Sequence, residues 1–289
     1  MGGSRIDPVT VRHGNAVAKP KDPVNGGYIF DGWYTDKTYR TPYNFATVLT
    51  QDTTIYAKWF LIALPGVTIK NPGAEENSAL QLLTCIGNPA RIISGDAKGA
   101  EGFVTGFHGG VDDLMLYFPR DVLERMTLED KIQIRMQGRG MQIHGFEDSV
   151  HCISMGPELF DRMDIQVENG RLIVPVAARV PAHLMGSGMG EFSSVAGDYD
   201  IMTADREEIR RCGLDKLRYG DIVLLENCDN TFGRGYLTGA VSIGVVIHGD
   251  CILMGHGPGV STLLTAKTPV IEGRLDPHAN LADLMGISD

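Results

Sequence analysis

Aromatic residues are spread so unevenly along this chain that it divides into two parts with different ways of building a core. Both tryptophans (Trp33, Trp59) and five of the nine tyrosines (Tyr28, Tyr34, Tyr39, Tyr43, Tyr56) precede residue 60, whereas glycine and methionine concentrate after it. A unit of about sixty residues encloses little volume, so large rings must supply most of its buried area. The remaining stretch is long enough for an aliphatic core of its own. The sequence therefore predicts a small module over 9–60, a connector over 61–78 containing Pro65, Gly66, Pro72 and Gly73, and one larger domain over 79–289.

Within the first part, Val9–Val11, Tyr28–Phe30 and Thr54–Trp59 are β-branched and aromatic runs separated by turn formers, so each is expected to be a strand. Asn25-Gly26-Gly27 suits a turn that needs positive φ. In the second part, Arg91–Ile93, Leu114–Phe118, Lys131–Met136, Leu172–Val176, Asp221–Leu225 and Val241–Ile247 read as strands. Helices are expected over Pro119–Met126, from Asp205 to a stop at Gly213, and after Asp276-Pro277. Strands outnumber helices and do not alternate with them. The expected class is α+β, rich in β, with a small β module ahead of a larger mixed domain.

The net charge of −10, with no basic cluster, argues against nucleic acid and anionic membrane surfaces as partners. No apolar run approaches the ~20 residues of a membrane helix, and no apolar segment follows MGGSRIDP as a signal peptide requires. The five cysteines are scattered and odd in number, which suits reduced thiols and a cytoplasmic setting as the sequence stands. A homo-oligomer acting on a small molecule is the expectation for a β-rich domain of this kind.

Candidate chemistry lies in six glycine-rich segments of the second part. They carry Ser94, Asp96 and Lys98; His108; His183 and Ser187; Asp198 and Asp200; His248 and Cys251; and His256. Glycine permits close backbone approach and frees N–H groups to meet a ligand. None of the segments has the spacing of a nucleotide-binding loop. Asp198 and Asp200 flank Tyr199, so on a strand both carboxylates share one face and need a cation, unless they form a solvated strand end. If Gly249-Asp250 closes a two-residue hairpin, His248 lies opposite Cys251 at ~5.5 Å between Cα atoms. His256 would then face Ile243, ~17 Å farther along. His248 thus has three readings: a base for the Cys251 thiol, a metal ligand with His108, Asp198 or Asp200, or a turn cap. Lys98 and Arg234 are candidate anion clamps, with Ser94, Asp96, His183, Ser187 and His256 as further substrate contacts.

The run GYIFDGWYTDKTYRTPYNFATVLTQDTTIYAKW resembles the Listeria–Bacteroides repeat, the B-repeat of internalin-like surface proteins. The resemblance implies a β-grasp-like fold and a spacer or adhesion role at the cell envelope. The stretches SGDAKGAEGFVTGFHGG, LIVPVAARVPAHLMGSGMG, GDYDI, LDKLRYGDIV and GAVSIGVVIHGDCILMGHGPGV resemble the bacterial family of domain of unknown function 4438. That family implies a β-rich fold and lends no activity. The L-x-V-P-V strand, its glycine-rich loop and a GD-x-D element are also similar to acetamidase/formamidase-type amide hydrolases, a hint of reaction class. Together these readings lead to a metal-dependent hydrolase of a small polar or amide substrate. Its Zn²⁺ or Mn²⁺ would be held by His108, Asp198, Asp200 and His248. A non-catalytic small-ligand-binding protein and an envelope interaction protein are the alternatives.

Overall fold

The structure is a computed structural model that describes residues 6–21, 23, 28–61, 66–109, 113–186, 193–250 and 257–287. Two compact units, residues 1–63 and 64–289, divide the chain. No helix among the described residues is long and apolar enough to cross a membrane.

In the first unit, β1 (Tyr28–Tyr34) and β2 (Tyr56–Leu61) form an antiparallel ribbon, with isolated bridges Ala16↔Val48 and Tyr34↔Pro42. Trp33 is buried and meets the Phe30 ring edge-on at 5.3 Å, so aromatics do form this unit's interior. Val9–Val11 is not a strand. Val9 is 63% exposed and no strand among the described residues pairs with the run, so its β-branched residues have no ladder there to join. The expected turn at Asn25-Gly26-Gly27 lies outside the described residues.

The second unit begins inside the stretch expected to be a connector, with β3 (Val67–Ile69) and α1 (Ala74–Leu83). There follow β4 (Pro89–Ile92), β5 (Glu101–His108), β6 (Asp113–Tyr117), α2 (Arg120–Leu123), β7 (Ile132–Ile134), β8 (His151–Cys152) and α3 (Pro157–Arg162). Next come β9 (Gln166–Glu168), β10 (Arg171–Val176), β11 (Ala178–Val180), β12 (Tyr199–Asp200) and α4 (Arg206–Arg211). The chain ends with β13 (Ile222–Asp229), β14 (Gly235–Val246), β15 (Gly259–Ala266), β16 (Ile271–Leu275) and α5 (Leu281–Met285).

Among the described residues these strands form three sheets. One has the order β3-β6-β5-β4-β7, a second β11-β13-β14-β15-β12 with β8 also on β15, and a third β16-β10-β9. With 35% strand against 15% helix, the molecule is strand-dominated α+β. Period-2 alternation makes the second sheet a partition between two cores. On β13, Ile222 and Leu224 join the larger core, whereas Val223 and Leu225 join the smaller one with Tyr199 and Ile201. All eight residues of β15 are buried, as a strand covered on both faces must be.

Two helix starts show how local chemistry fixes or misleads. Asp205 caps α4, its Oδ1 accepting from the N–H groups of Glu207 and Glu208 at 3.2 and 3.1 Å, and Gly213 ends that region in the left-handed conformation. The last helix does not open at Asp276-Pro277. Asn280 is its cap, accepting from Ala282 N–H at 2.8 Å, while Asp276 closes a turn onto His278 N–H.

Candidate metal centre

Three strands meet at Gly259. In the antiparallel ladder Asp200 stands opposite Gly259, and Ile247, just past the end of β14, donates its N–H to Gly259 O at 2.8 Å. This junction places the residues after β14 against those of β12. A Cβ at Gly259 would collide with Asp198 Oδ2 and His248 Nε2, so only glycine leaves room for both side chains. Alternation sends the Tyr199 ring, 1% exposed, into the smaller core and turns Asp198 and Asp200 to the other side.

There the two carboxylates converge on one imidazole. His248 Nε2 lies 3.0 Å from Asp198 Oδ2 and 3.3 Å from Asp200 Oδ1. Both aspartates are 3% exposed, so they are not a solvated strand end. Asp198 is held at its other oxygen, where Gly109 N–H donates to Oδ1 at 2.7 Å, leaving Oδ2 for the imidazole. His248 Nδ1 lies 3.0 Å from Gly249 O and 3.3 Å from Gly259 N. One nitrogen cannot donate to the carbonyl and accept from the amide together. The shorter contact places the proton on Nδ1. Burial alone would depress the His248 ring, but its hydrogen bonds to Asp198 and Asp200 outweigh that and push it up to about 10.

The first sheet closes the site from the other side. Ser261 on β15 accepts from Phe107 N–H at 3.3 Å and donates to Phe107 O at 3.2 Å, which fastens the end of β5 to the second sheet. Gly106 allows the approach, since a Cβ there would strike Ile247. His108 follows, its ring 5.1 Å from that of His248 between centroids. Its Nδ1 is buried and has no hydrogen-bond partner among the described residues.

Asp198, Asp200 and His248 each bring one donor atom to a common point, the three lying within 4.8 Å of one another. Two donors at about 2.1 Å from one ion, set at tetrahedral or octahedral angles, are themselves about 3.0–3.4 Å apart. The spacings of 3.0 and 3.3 Å from His248 Nε2 match that figure. Two carboxylates and a neutral imidazole suit Zn²⁺ or Mn²⁺ and would neutralise a divalent charge. A Nδ1–H bonded to a backbone carbonyl is the usual way a metal-binding histidine is fixed with Nε2 free. His108, expected as a fourth ligand, stands beside these three and does not converge with them.

The other expected site residues divide as follows. Ser94, Asp96 and Lys98 lie in the turn before β5, at the end of that strand remote from His108, about 23 Å away for seven strand steps. Ser94 Oγ accepts from Lys131 N–H at 2.6 Å and bonds Asp130, while Asp96 and Lys98 are exposed. They do not share a pocket with the aspartates. His183 Nε2 lies 2.7 Å from Glu208 Oε1, a hydrogen bond at an exposed imidazole. Arg234 is exposed, and its Nη2 donates to Met185 O, next to the bridge that joins Met185 to Ile201. Ser187, Cys251 and His256 lie outside the described residues.

The expected pairing of His248 with Cys251 across Gly249-Asp250 involves a residue outside the described ones, and neither His248 nor Gly249-Asp250 belongs to a strand. Among the described residues the last ladder pair is Val246↔Val260, and Ile247–Asp250 lie outside any strand. Ile243 pairs with Leu264 and not with residue 256. His248 is thereby freed from a strand register and can turn to the aspartates. Sequence reasoning missed Gly109 and Gly259 as parts of the site. Gly259 had a signal, as one of the glycines clustered after His248, but its role depends on a junction of three strands that no local pattern encodes.

Comparison with known proteins agrees with this architecture. The family models "Domain of unknown function (DUF4438), N-terminal" and "Domain of unknown function (DUF4438), C-terminal" match residues 61–161 and 162–285, and the Listeria-Bacteroides repeat domain matches residues 1–58. The crystal structure of TM1086 is similar at 43% identity and a TM-score of 0.71, covering 76% of this chain and 76% of that one. A putative membrane protein and a putative Gly-rich membrane protein of Evansella cellulosilytica are 34% and 36% identical over 59 residues, 20% of this chain. This chain spans only 9% and 7% of the length of those two relatives. The chain belongs to the DUF4438 family, whose N- and C-terminal domains it carries behind a Listeria–Bacteroides repeat domain.

Proposed function

We propose that the protein is a divalent-metal hydrolase of a small polar substrate of the amide class, with Asp198, Asp200 and His248 as the metal ligands. The carrying observation is the convergence of these three buried donor atoms on one point, with His248 Nδ1 tied to a backbone carbonyl. Two buried carboxylates on one face are costly without a compensating cation. In the metal-free protein the His248 imidazolium is that cation; a divalent ion would replace its Nε2 proton.

A metal here would supply Lewis acidity and activate water near neutral pH. The chain's own groups have separable tasks. Gly109 N–H fixes which Asp198 oxygen faces the centre, and Gly249 O fixes the His248 tautomer. His108 brings to the edge of the site a buried nitrogen with no hydrogen-bond partner among the described residues, suited to a hydrogen bond with a substrate oxygen or amide. Three protein ligands leave a metal with open positions, the pattern of catalytic and not structural sites.

The test is ammonia release from a panel of small amides by protein loaded with Zn²⁺ or Mn²⁺. Turnover that is lost with chelator and in His248→Ala supports the hydrolase. Tight metal with no turnover, but saturable binding of a small ligand, would favour the non-catalytic alternative.

A further inference from the structure

We propose that Asp250 is a positioning residue for this centre: its carboxylate clamps the loop bearing His248 to the segment that follows Asp200, and so sets the donor spacing a metal meets. The inference rests on the metal reading of the site. Asp250 Oδ1 accepts from Thr203 Oγ1 at 2.5 Å, and Oδ2 accepts from Arg206 Nη1 at 2.5 Å. Thr203 comes three residues after Asp200, and Asp250 two residues after His248. Each ligand-bearing segment is thus stapled to the other within one turn of chain from its ligand.

The anchor points are themselves fixed. Thr203 is 7% exposed, and Arg206 is the first residue of α4, whose start is held by the Asp205 cap. On the same side of the junction, Ile201 N–H donates to Pro258 O at 2.9 Å, and Gly257 sits so close to Ile201 O that a Cβ would not fit. β14 ends at Val246 and β15 begins at Gly259. The Ile247 N–H bond to Gly259 O holds the chain just before His248, and the Asp250 bonds hold it just after. Asp250 bonds both partners while its side chain remains 37% exposed, which is a poor arrangement for stability alone and a good one for registry.

The experiment measures Mn²⁺ and Zn²⁺ affinity of the full chain by calorimetry, and the visible spectrum of the Co²⁺ form, for wild type, Asp250→Ala, Thr203→Val and the double variant. Asp250→Ala is expected to weaken binding by about 10- to 100-fold and shift the Co²⁺ spectrum. Adding Thr203→Val to it should cost little more, because both act through one clamp. A wild type that binds metal alongside an Asp250→Ala variant of the same affinity and spectrum would overturn the clamp and leave the metal site standing. A wild type that binds neither metal would overturn the metal reading and the clamp with it. If Asp250→Ala does not fold, Arg206→Gln, at a half-exposed side chain, decides the question through a several-fold loss of affinity or none.

Discussion

The two ends of β5 look alike in sequence and differ in what they do. At one end, Ser94-Gly95-Asp96 and Lys98-Gly99 make a polar, glycine-rich loop; at the other, His108-Gly109 does the same. The first is a turn whose polar groups satisfy one another, with Ser94 on Lys131 N–H and Asp130, and with Lys98 in solvent. The second meets a different sheet, where Gly109 N–H reaches a buried carboxylate. Glycine and polarity mark a place where backbone can be approached closely. Only convergence with charges from other strands, under burial, makes that place a site.

Substitutions can break this comparison, and the largest effect is expected at the buried end. Asp198→Asn should lower affinity for Zn²⁺ or Mn²⁺ by at least about 100-fold, whereas Asp96→Asn should leave it unchanged; calorimetric titration of both variants measures the contrast. Equal loss in the two would mean that metal binding, if seen, is not at the cluster.

A second contrast is pH. Burial opposes the charged form of His248, yet its bonds to Asp198 and Asp200 raise it to about 10 from an ordinary 6.5. A raised folded value means that the imidazolium's contribution is fully present below pH 6.5 and is lost as pH rises through about 10. Metal-free protein should therefore lose on the order of a few kcal/mol across that window, as followed by urea midpoints. Asp198→Asn should flatten the slope. Saturating metal, which takes the place of the proton, should flatten it too.

Gly259→Ala comes next. The added methyl would displace Asp198 and His248 without changing any donor, so both stability, by about 1–3 kcal/mol, and metal affinity should fall. The smallest effects belong to the solvated end of β5. Ser94→Ala should cost about 1 kcal/mol through its turn bonds, and Lys98→Ala should stay within about 0.5 kcal/mol. Thermal melts resolve both. A larger loss at Lys98 than at Gly259 would reverse the comparison.

The sequence carried the site's donors further than it carried their arrangement. Asp198 and Asp200 flank an aromatic residue at strand spacing, so their shared face was legible, as was the Asp205 cap from its Glu208 three residues on. The strands rich in Val, Ile and Leu were legible for the same local reason. The His248 loop was not. Gly249-Asp250 has the composition of a tight turn, but Asp250 bonds Thr203 and Arg206 from a distant part of the chain. His108 was marked out by its glycines, yet its standing beside the cluster depends on Ser261 pinning Phe107, a contact between residues 154 positions apart. Such partners are set by tertiary packing and leave no local trace.

The most direct test is elemental analysis of the purified full chain, reconstituted with Zn²⁺ or Mn²⁺ and freed of excess ion, beside His248→Ala treated identically. One equivalent of metal in the wild type and none in the variant is the result expected of three donors sharing one ion. Wild type without metal, or a variant that retains its equivalent, would contradict the assignment of Asp198, Asp200 and His248 as a metal centre.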